Sequence, residues 1–195
     1  MTKLLKERKR NRFILGIILI DIIILLSCSI AAAVGRDKLR VKAGLDLFPS
    51  LLTADLDIEE KKGDDGFLTL LLIYTDDRAQ AVEMARVLNS LKKIRKIPIR
   101  VEITNDLSMH SFKDSPPAGI FITQPLGDKL SDVVFYAVNN HIVLFSPFKG
   151  DVEKGVLGGI HISDRVLPYI NLSSMKSSGI HIKQFFMRVS VPYAP

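Results

Sequence analysis

Histidines are the first candidates for metal binding or proton transfer in this sequence. The four histidines are His110, His141, His161 and His181. His161 and His181 each precede an isoleucine in an apolar stretch, so on strands they would face away from those isoleucines. A histidine metal site needs further ligands, and neither a cysteine nor a pair of carboxylates stands beside them. We therefore expect surface or hydrogen-bonded core roles for the histidines and no metal site.

Serine and aspartate are the next candidates, as a nucleophile and as an acid and base. The clustered serines are Ser173, Ser174, Ser177 and Ser178. They lack the glycine pattern of a nucleophile elbow, so we interpret them as capping and turn residues. Asp76 and Asp77 could exchange protons with a substrate, but adjacent acids at a helix start usually cap the helix. We predict no catalytic residues and no cofactor, and hence a protein that is not an enzyme.

An apolar run at residues 13–34 decides the compartment in which the other residues act. It contains one charge, Asp21, and basic residues precede it. A run of this length can span a membrane as a helix. Lys and Arg beside such a run stay on the cytoplasmic side, so we expect the rest of the chain to lie across the membrane.

The N-terminal leader, residues 1–33, has three alternative fates. The small side chains at residues 31–33 suit a signal peptidase, with Val34 as the new N-terminus. Residues 25–28 resemble a bacterial lipobox, which makes Cys28 a candidate for lipidation. The run is also long enough to remain as an uncleaved membrane anchor. In each case the folded domain is predicted at residues 34–195, either secreted into the periplasm or anchored to the membrane.

The charge distribution argues against a nucleic-acid partner. The net charge is +6, and most of it comes from the leader. A nucleic-acid surface needs clustered Lys and Arg, which the rest of the chain lacks. The densest basic run, residues 92–96, falls where we predict the end of a helix, and cations there complement the helix dipole.

Strands and helices alternate through the middle of the chain. We predict strands at residues 67–74, 97–103, 118–123 and 141–145. We predict helices at residues 36–56, 78–93 and 126–139, the last closed by a left-handed cap at residues 139–140. This alternation predicts an α/β fold with a mostly parallel sheet flanked by helices, preceded by the hydrophobic leader helix. The first strand-to-helix turn has no glycine and two acids, which excludes a dinucleotide site.

The C-terminal third predicts an antiparallel hairpin, with strands at residues 156–163 and 165–171. Gly158 and Gly159 indicate a bulge or close backbone packing. Asn171 is predicted to cap a short helix that ends near Gly179. The last apolar side chains, at residues 180–186, are predicted to return to the core.

This closing segment resembles a known motif. The residues that carry the resemblance are Gly158, Gly159, Ile170, Asn171, Gly179 and the pair Phe185 and Phe186. They are similar to the closing motif of the YfiR-like periplasmic regulators, in which a Gly-Gly strand precedes an Ile-Asn strand end and a short helix. Lys42, Ala43 and Phe48 resemble the opening helix of that family. The family's cysteines are missing here, so control through a disulfide is not available.

The resemblance implies a non-enzymatic periplasmic regulator that binds another protein. Its expected partner is the extracytoplasmic part of an inner-membrane signalling protein, either a diguanylate cyclase in cyclic-di-GMP signalling or a sensor kinase. The motif residues have structural roles and do not identify the partner-binding surface. A homodimer is a further candidate assembly. The alternative function is an extracytoplasmic small-ligand-binding or sensor module, which predicts a closed pocket at the carboxyl edge of the parallel strands.

Overall fold

The computed structural model describes residues 37–194, so the leader with Cys28 lies outside the described residues. These residues form one eight-stranded sheet with helices around it. The predicted α/β fold, with a mostly parallel sheet and a C-terminal antiparallel hairpin, is confirmed. Within residues 37–194, no helix has both the length and the hydropathy to cross a membrane.

The strands are β1 (Leu68–Ile73), β2 (Lys93–Ile94), β3 (Ile97–Thr104), β4 (Gly119–Ile122), β5 (Val143–Phe145), β6 (Gly158–Ile162), β7 (Val166–Asn171) and β8 (Val191–Tyr193). The helices are α1 (described over 37–54), α2 (Arg78–Asn89), α3 (Leu130–Asn139), α4 (Leu172–Ser177) and α5 (Gln184–Val189). Short 3-10 helices cover Ile58–Lys61, His110–Phe112 and Gly127–Lys129.

The sheet has the order β2-β3-β1-β4-β5-β6-β7-β8. Strands β3, β1, β4, β5 and β6 run parallel, and β2 and β7 run antiparallel to their neighbours β3 and β6. The buried side chains form two clusters, one containing residues of α1 and α2 and the other containing residues of α3. The central parallel strands β1, β4 and β5 are almost wholly buried, which agrees with their nearly continuous apolar sequences.

Glycines in the sheet let α1 pack closely against it. A Cβ atom on Gly158 would lie 2.5 Å from Leu51 Cδ2, and one on Gly119 would lie 2.8 Å from Leu52 Cδ2. Phe48 of the same helix packs between the rings of Phe121 and Phe145, with centroids 5.6 and 5.9 Å away. Strand β6 pairs with β7 without interruption from Gly158 onward, so the paired glycines serve close packing and not a bulge.

The basic run at residues 92–96 is not a helix end, contrary to the prediction. Helix α2 ends at Asn89, and the run forms β2 and the tight turn into β3, with Arg95 at a φ of 51°. The Arg95 guanidinium donates hydrogen bonds to the backbone carbonyls of Thr53 and Asp55, at the C-terminus of α1. Its charge therefore complements the dipole of a helix about forty residues earlier in the chain, which the local sequence pattern does not reveal.

Two further local predictions differ from the structure. The left-handed residue after α3 is His141, with a φ of 56°, whereas Asn140 has a φ of −110°. Asn140 instead donates its side-chain amide to the carbonyl of Tyr136, which satisfies the end of the helix. Phe186 is buried as predicted, but Phe185 is 60% exposed, because both lie on helix α5, where neighbouring side chains point in directions about 100° apart.

Candidate functional site

At the carboxyl edge of the parallel strands, hydrogen bonds join the turn after β1 to the residue that follows β4. Gln124 follows β4, and its Oε1 accepts bonds from the N–H groups of Thr75 and Asp76 at 2.7 and 3.0 Å. The Thr75 hydroxyl donates to the same oxygen. Asp77 caps α2 by accepting from the N–H of Gln80, so the capping role predicted for this pair of acids is confirmed at Asp77. In many α/β proteins this edge binds the ligand. Here the backbone N–H groups of the first turn are already hydrogen-bonded to Gln124.

A cavity of about 350 Å³ lies at the opposite, amino edge of the sheet. Its walls are Asp57, Glu60, Lys61, Pro116, Pro117, Asn140, His141, Gly179 and Ile180. These residues come from four segments: the 3-10 helix after α1, the approach to β4, the approach to β5, and the turn after α4. The small-ligand alternative predicts a pocket at the carboxyl edge, whereas this cavity lies at the amino edge. We call it the amino-edge cavity.

His141 is held in a fixed orientation in the wall of this cavity. Its Nδ1 lies 2.7 Å from the carbonyl oxygen of Ser178. A carbonyl only accepts, so Nδ1 carries the proton, and in the neutral ring Nε2 is left as an acceptor. The left-handed backbone of His141 meets the left-handed Gly179, where an added Cβ would approach the ring to 3.5 Å.

The charges around the amino-edge cavity are predominantly negative. Lys61 is the one cation in its wall, and its Nζ lies 2.6 Å from the carboxylate of Asp55, which is fully buried. Asp57 accepts a bond from the ring of His181 at 2.9 Å. The exposed carboxylate of Glu60 makes no hydrogen bond or ion pair within residues 37–194. With Lys61 neutralised by Asp55, the wall presents two carboxylates, which favours a ligand that carries positive charge.

Three residues of the closing motif, Ile170, Asn171 and Gly179, have structural roles. Asn171 is buried; its Oδ1 accepts from the N–H of Ser174 at 2.9 Å, and its amide donates to the carbonyl of Val152 at 2.7 Å. The N-cap prediction is therefore confirmed. Ile170 is in the core, and Gly179 is left-handed with a φ of 63°. Of the motif, Gly179 alone contributes to the wall of the amino-edge cavity.

The remaining histidines lie outside this cavity. His161 packs against Tyr169 with a centroid separation of 5.6 Å, and His110 lies 2.6 Å from the hydroxyl of Ser108. That hydroxyl donates to Asp106, and this bond lowers the pKa of the Asp106 carboxyl below its usual value. The serine stands between the acid and the histidine, so the chain of bonds is not a nucleophilic triad, which needs histidine in the middle. Within residues 37–194, no group of three or more His, Cys, Asp or Glu side chains is arranged to hold a metal ion.

A second concave surface, which we call the α5 groove, lies between α1, the β2 turn and α5. Its walls are Pro49, Ser50, Thr53, Leu91, Lys93, Ile94, Arg95, Phe185 and Phe186. Two of its apolar side chains reach solvent, since Phe185 is 60% and Leu91 45% exposed. The sequence does not reveal this groove, because its walls come from three separate segments of the chain, at residues 49–53, 91–95 and 185–186.

Comparisons with known proteins concern the fold alone. No protein-family model and no curated protein matches the sequence. Similar solved structures include an ABC domain in complex with L-Trp from Streptococcus pneumonia, with 11% identity, a TM-score of 0.46, and coverage of 73% of this chain and 60% of that chain. A conserved domain protein from Vibrio cholerae has 11% identity, a TM-score of 0.48, and coverage of 68% and 57%. A ligand-free, open substrate binding protein with adhesive properties from Clostridium difficile has 12% identity, a TM-score of 0.48, and coverage of 71% and 58%.

This chain therefore spans less than two thirds of the length of each of those proteins. With TM-scores below 0.5, the likeness says nothing about what this chain binds.

Proposed function

We propose that this chain is a non-catalytic, extracytoplasmic binding module that holds a small, positively charged organic molecule in the amino-edge cavity. The observation that carries the proposal is the composition of that cavity. Two carboxylates, Asp57 and Glu60, share its wall with His141 and with the apolar surfaces of Pro117 and Ile180. A concave site that combines apolar surface with a few fixed polar groups is typical of small-molecule binding.

The volume and the charge narrow the class of ligand. About 350 Å³ is near the lower end of the range for ligand sites. A carboxylate in a partly enclosed site recognises an ammonium group through charge-assisted hydrogen bonds. The prolines and Ile180 would contact an apolar portion of the same molecule. An amine or an amino acid with a short apolar side chain has this combination of groups.

The extracytoplasmic location rests on the leader. The basic residues followed by the apolar run at residues 13–34 direct the following chain across the inner membrane.

A titration of the full-length chain with a panel of small molecules tests the ligand class. The panel contains primary amines, amino acids and, as a contrast, dicarboxylates, and binding is measured by calorimetry. Replacing Glu60 with Gln should weaken the affinity for the cationic ligands about tenfold, because the negative charge that strengthens the hydrogen bond to an ammonium group is lost while an acceptor oxygen remains. Glu59→Gln is the matched control: it makes the same charge change in the same 3-10 helix but outside the cavity wall. Equal losses in both variants, or binding of dicarboxylates alone, would argue against the assignment.

The α5 groove favours a second candidate function, the regulator that the YfiR-like motif implies. In this case the exposed Phe185 and Leu91 form part of the surface that contacts an inner-membrane signalling protein, such as a diguanylate cyclase or a sensor kinase. Clustered exposed apolar side chains often mark a protein interface. Co-purification of the full-length chain from membranes tests it. Phe185→Ser should abolish recovery of the signalling protein, whereas Phe135→Ser, at a phenylalanine of α3 that is even more exposed, should leave it unchanged.

A further inference from the structure

The backbone N–H groups in the wall of the amino-edge cavity are already hydrogen-bonded within the protein. Pro116 and Pro117 have no N–H group. Six other wall residues donate their backbone N–H to another residue of the chain: Asp57, Glu60, Asn140, His141, Gly179 and Ile180. A ligand carboxylate needs N–H donors, from the backbone or from Arg and Lys side chains. The backbone of this wall therefore has little to offer a carboxylate.

The side-chain donors of the wall are engaged as well. His141 and Asn140 each donate one N–H to a backbone carbonyl. Lys61 donates to the fully buried carboxylate of Asp55, and its own side chain is only 15% exposed. Moving Lys61 away to meet a ligand would leave the Asp55 charge buried without its counter-ion, which is strongly unfavourable. The donors that remain are the second amide N–H of Asn140 and the shielded ammonium group of Lys61.

The acceptors of the wall, in contrast, are open. Within residues 37–194, neither oxygen of the Glu60 carboxylate accepts a hydrogen bond, and Oδ1 of Asp57 is open while its Oδ2 meets the ring of His181. The neutral ring of His141 adds Nε2 as an acceptor, and the side-chain amide of Asn140 adds its oxygen. The wall is thus rich in acceptors and poor in donors, so it suits a ligand that carries donors alone.

The two carboxylates of the wall lie on one side of a short helix. Asp57 is the N-cap of the 3-10 helix Ile58–Lys61, and the N–H of Glu60 donates to the carbonyl of Asp57 at 3.0 Å. Three residues make one turn of a 3-10 helix, so the two side chains lie above each other, about 6 Å apart along the axis. Two ammonium groups at the ends of a short aliphatic chain can each meet one of these carboxylates.

We propose that the amino-edge cavity selects a short aliphatic diamine and rejects the amino acid of the same length. This inference rests on the proposed function, the binding of a small organic cation, and narrows it to a ligand with two ammonium groups and no carboxylate. The ammonium groups donate to Asp57 and Glu60, and the methylene chain lies against Pro117 and Ile180. A ligand carboxylate would find few donors and would be repelled by the two carboxylates of the wall.

Calorimetric titration of the full-length chain with cadaverine, lysine and pentylamine tests the proposal. Lysine is cadaverine with one added carboxylate, and pentylamine is cadaverine without one ammonium group. Cadaverine should bind at least about tenfold more tightly than either of them. Lysine or pentylamine binding as tightly as cadaverine would overturn the proposal while leaving the binding of a small cation in place. Failure of every cationic compound to bind would overturn the proposed function as well.

A charge-removing variant tests whether each carboxylate meets one ammonium group. Glu60→Gln should reduce the affinity for cadaverine about tenfold and leave that for pentylamine, which can use Asp57, nearly unchanged. The preference for cadaverine over pentylamine should therefore largely disappear. Glu59→Gln, in the same 3-10 helix but outside the cavity wall, is the matched control and should keep the preference. Circular dichroism reports on the fold of each variant. A folded Glu60→Gln variant with the full preference for cadaverine would overturn the proposal.

Discussion

Replacing Gly158 with alanine should destabilise the domain strongly, although the change adds a single methyl group. The new Cβ would lie 2.5 Å from Leu51 Cδ2 and 3.2 Å from Phe145 Cδ2, both on fully buried side chains. Carbon atoms in ordinary contact are about 3.5–4.0 Å apart, so α1 and the sheet would have to separate by about 1 Å. Overpacking of this kind costs roughly 1–3 kcal/mol. We expect the upper end, about 3 kcal/mol, because two buried neighbours are affected.

The assay is denaturant unfolding of the full-length chain followed by far-UV circular dichroism. A loss of about 3 kcal/mol corresponds to a decrease in Tm of about 6–12 °C for a domain of this size. Leu51→Ala supplies the matched background, since it removes the side chain that the new methyl group would meet. Leu51→Ala alone should cost about 2–5 kcal/mol through the cavity that it creates.

The double variant decides whether the contact is the cause. In the Leu51→Ala background, Gly158→Ala should cost at most about 1 kcal/mol, because the methyl group then enters free space. Additive losses in the two single variants and the double variant would refute the reasoning. They would show that Gly158 is required for its backbone conformation and not for the close approach of α1.

Two further predictions concern buried charge. Lys61→Met leaves the carboxylate of Asp55 buried without its counter-ion and should cost about 3–5 kcal/mol in denaturant unfolding, and adding Asp55→Asn should recover part of that loss. Burial raises the pKa of Asp151 above its ordinary value, against the opposing hydrogen bond from Ser146. At low pH Asp151 is protonated and its burial carries no charge penalty, so the folded state has its full stability. This stability is lost as the pH rises through the folded-state pKa and the buried carboxyl becomes charged. Asp151→Asn should remove this loss. Across acidic pH, the unfolding free energy of the variant should therefore increase relative to that of the wild type as the pH rises. Parallel plots of unfolding free energy against pH for the two proteins would contradict this.

Much of the fold could be predicted from local sequence patterns. Continuous apolar runs at the positions of β1 and β4 indicate strands buried on both faces, and both strands lie in the centre of the sheet. Gly158 and Gly159 indicate a bulge or close packing, of which the structure has the close packing, and Asn171 followed by serines indicates a helix cap. Each of these signals depends on residues within a few positions of each other. These features depend on residues that are close in the sequence, so a local sequence pattern is sufficient to predict them.

The features that depend on distant contacts could not be predicted in this way. Arg95 lies in a basic run that resembles a helix end, but its partners are the carbonyls at the C-terminus of α1. The walls of the amino-edge cavity come from four separated segments, and the position of His141 depends on the carbonyl of Ser178. His141 has the left-handed backbone conformation at the end of α3, whereas the sequence favoured the asparagines before it.

The most direct test of the amino-edge cavity is NMR spectroscopy of the full-length chain with ¹⁵N-labelled histidine. The four histidines serve as reporters, two near the cavity and two away from it. Adding a cationic ligand identified by calorimetry should shift the ring resonances of His141 and His181, with Nδ1 of His141 remaining protonated. The resonances of His110 and His161 should stay in place. Shifts confined to His110 or His161, or no shift at His141 under saturating ligand, would contradict binding in this cavity.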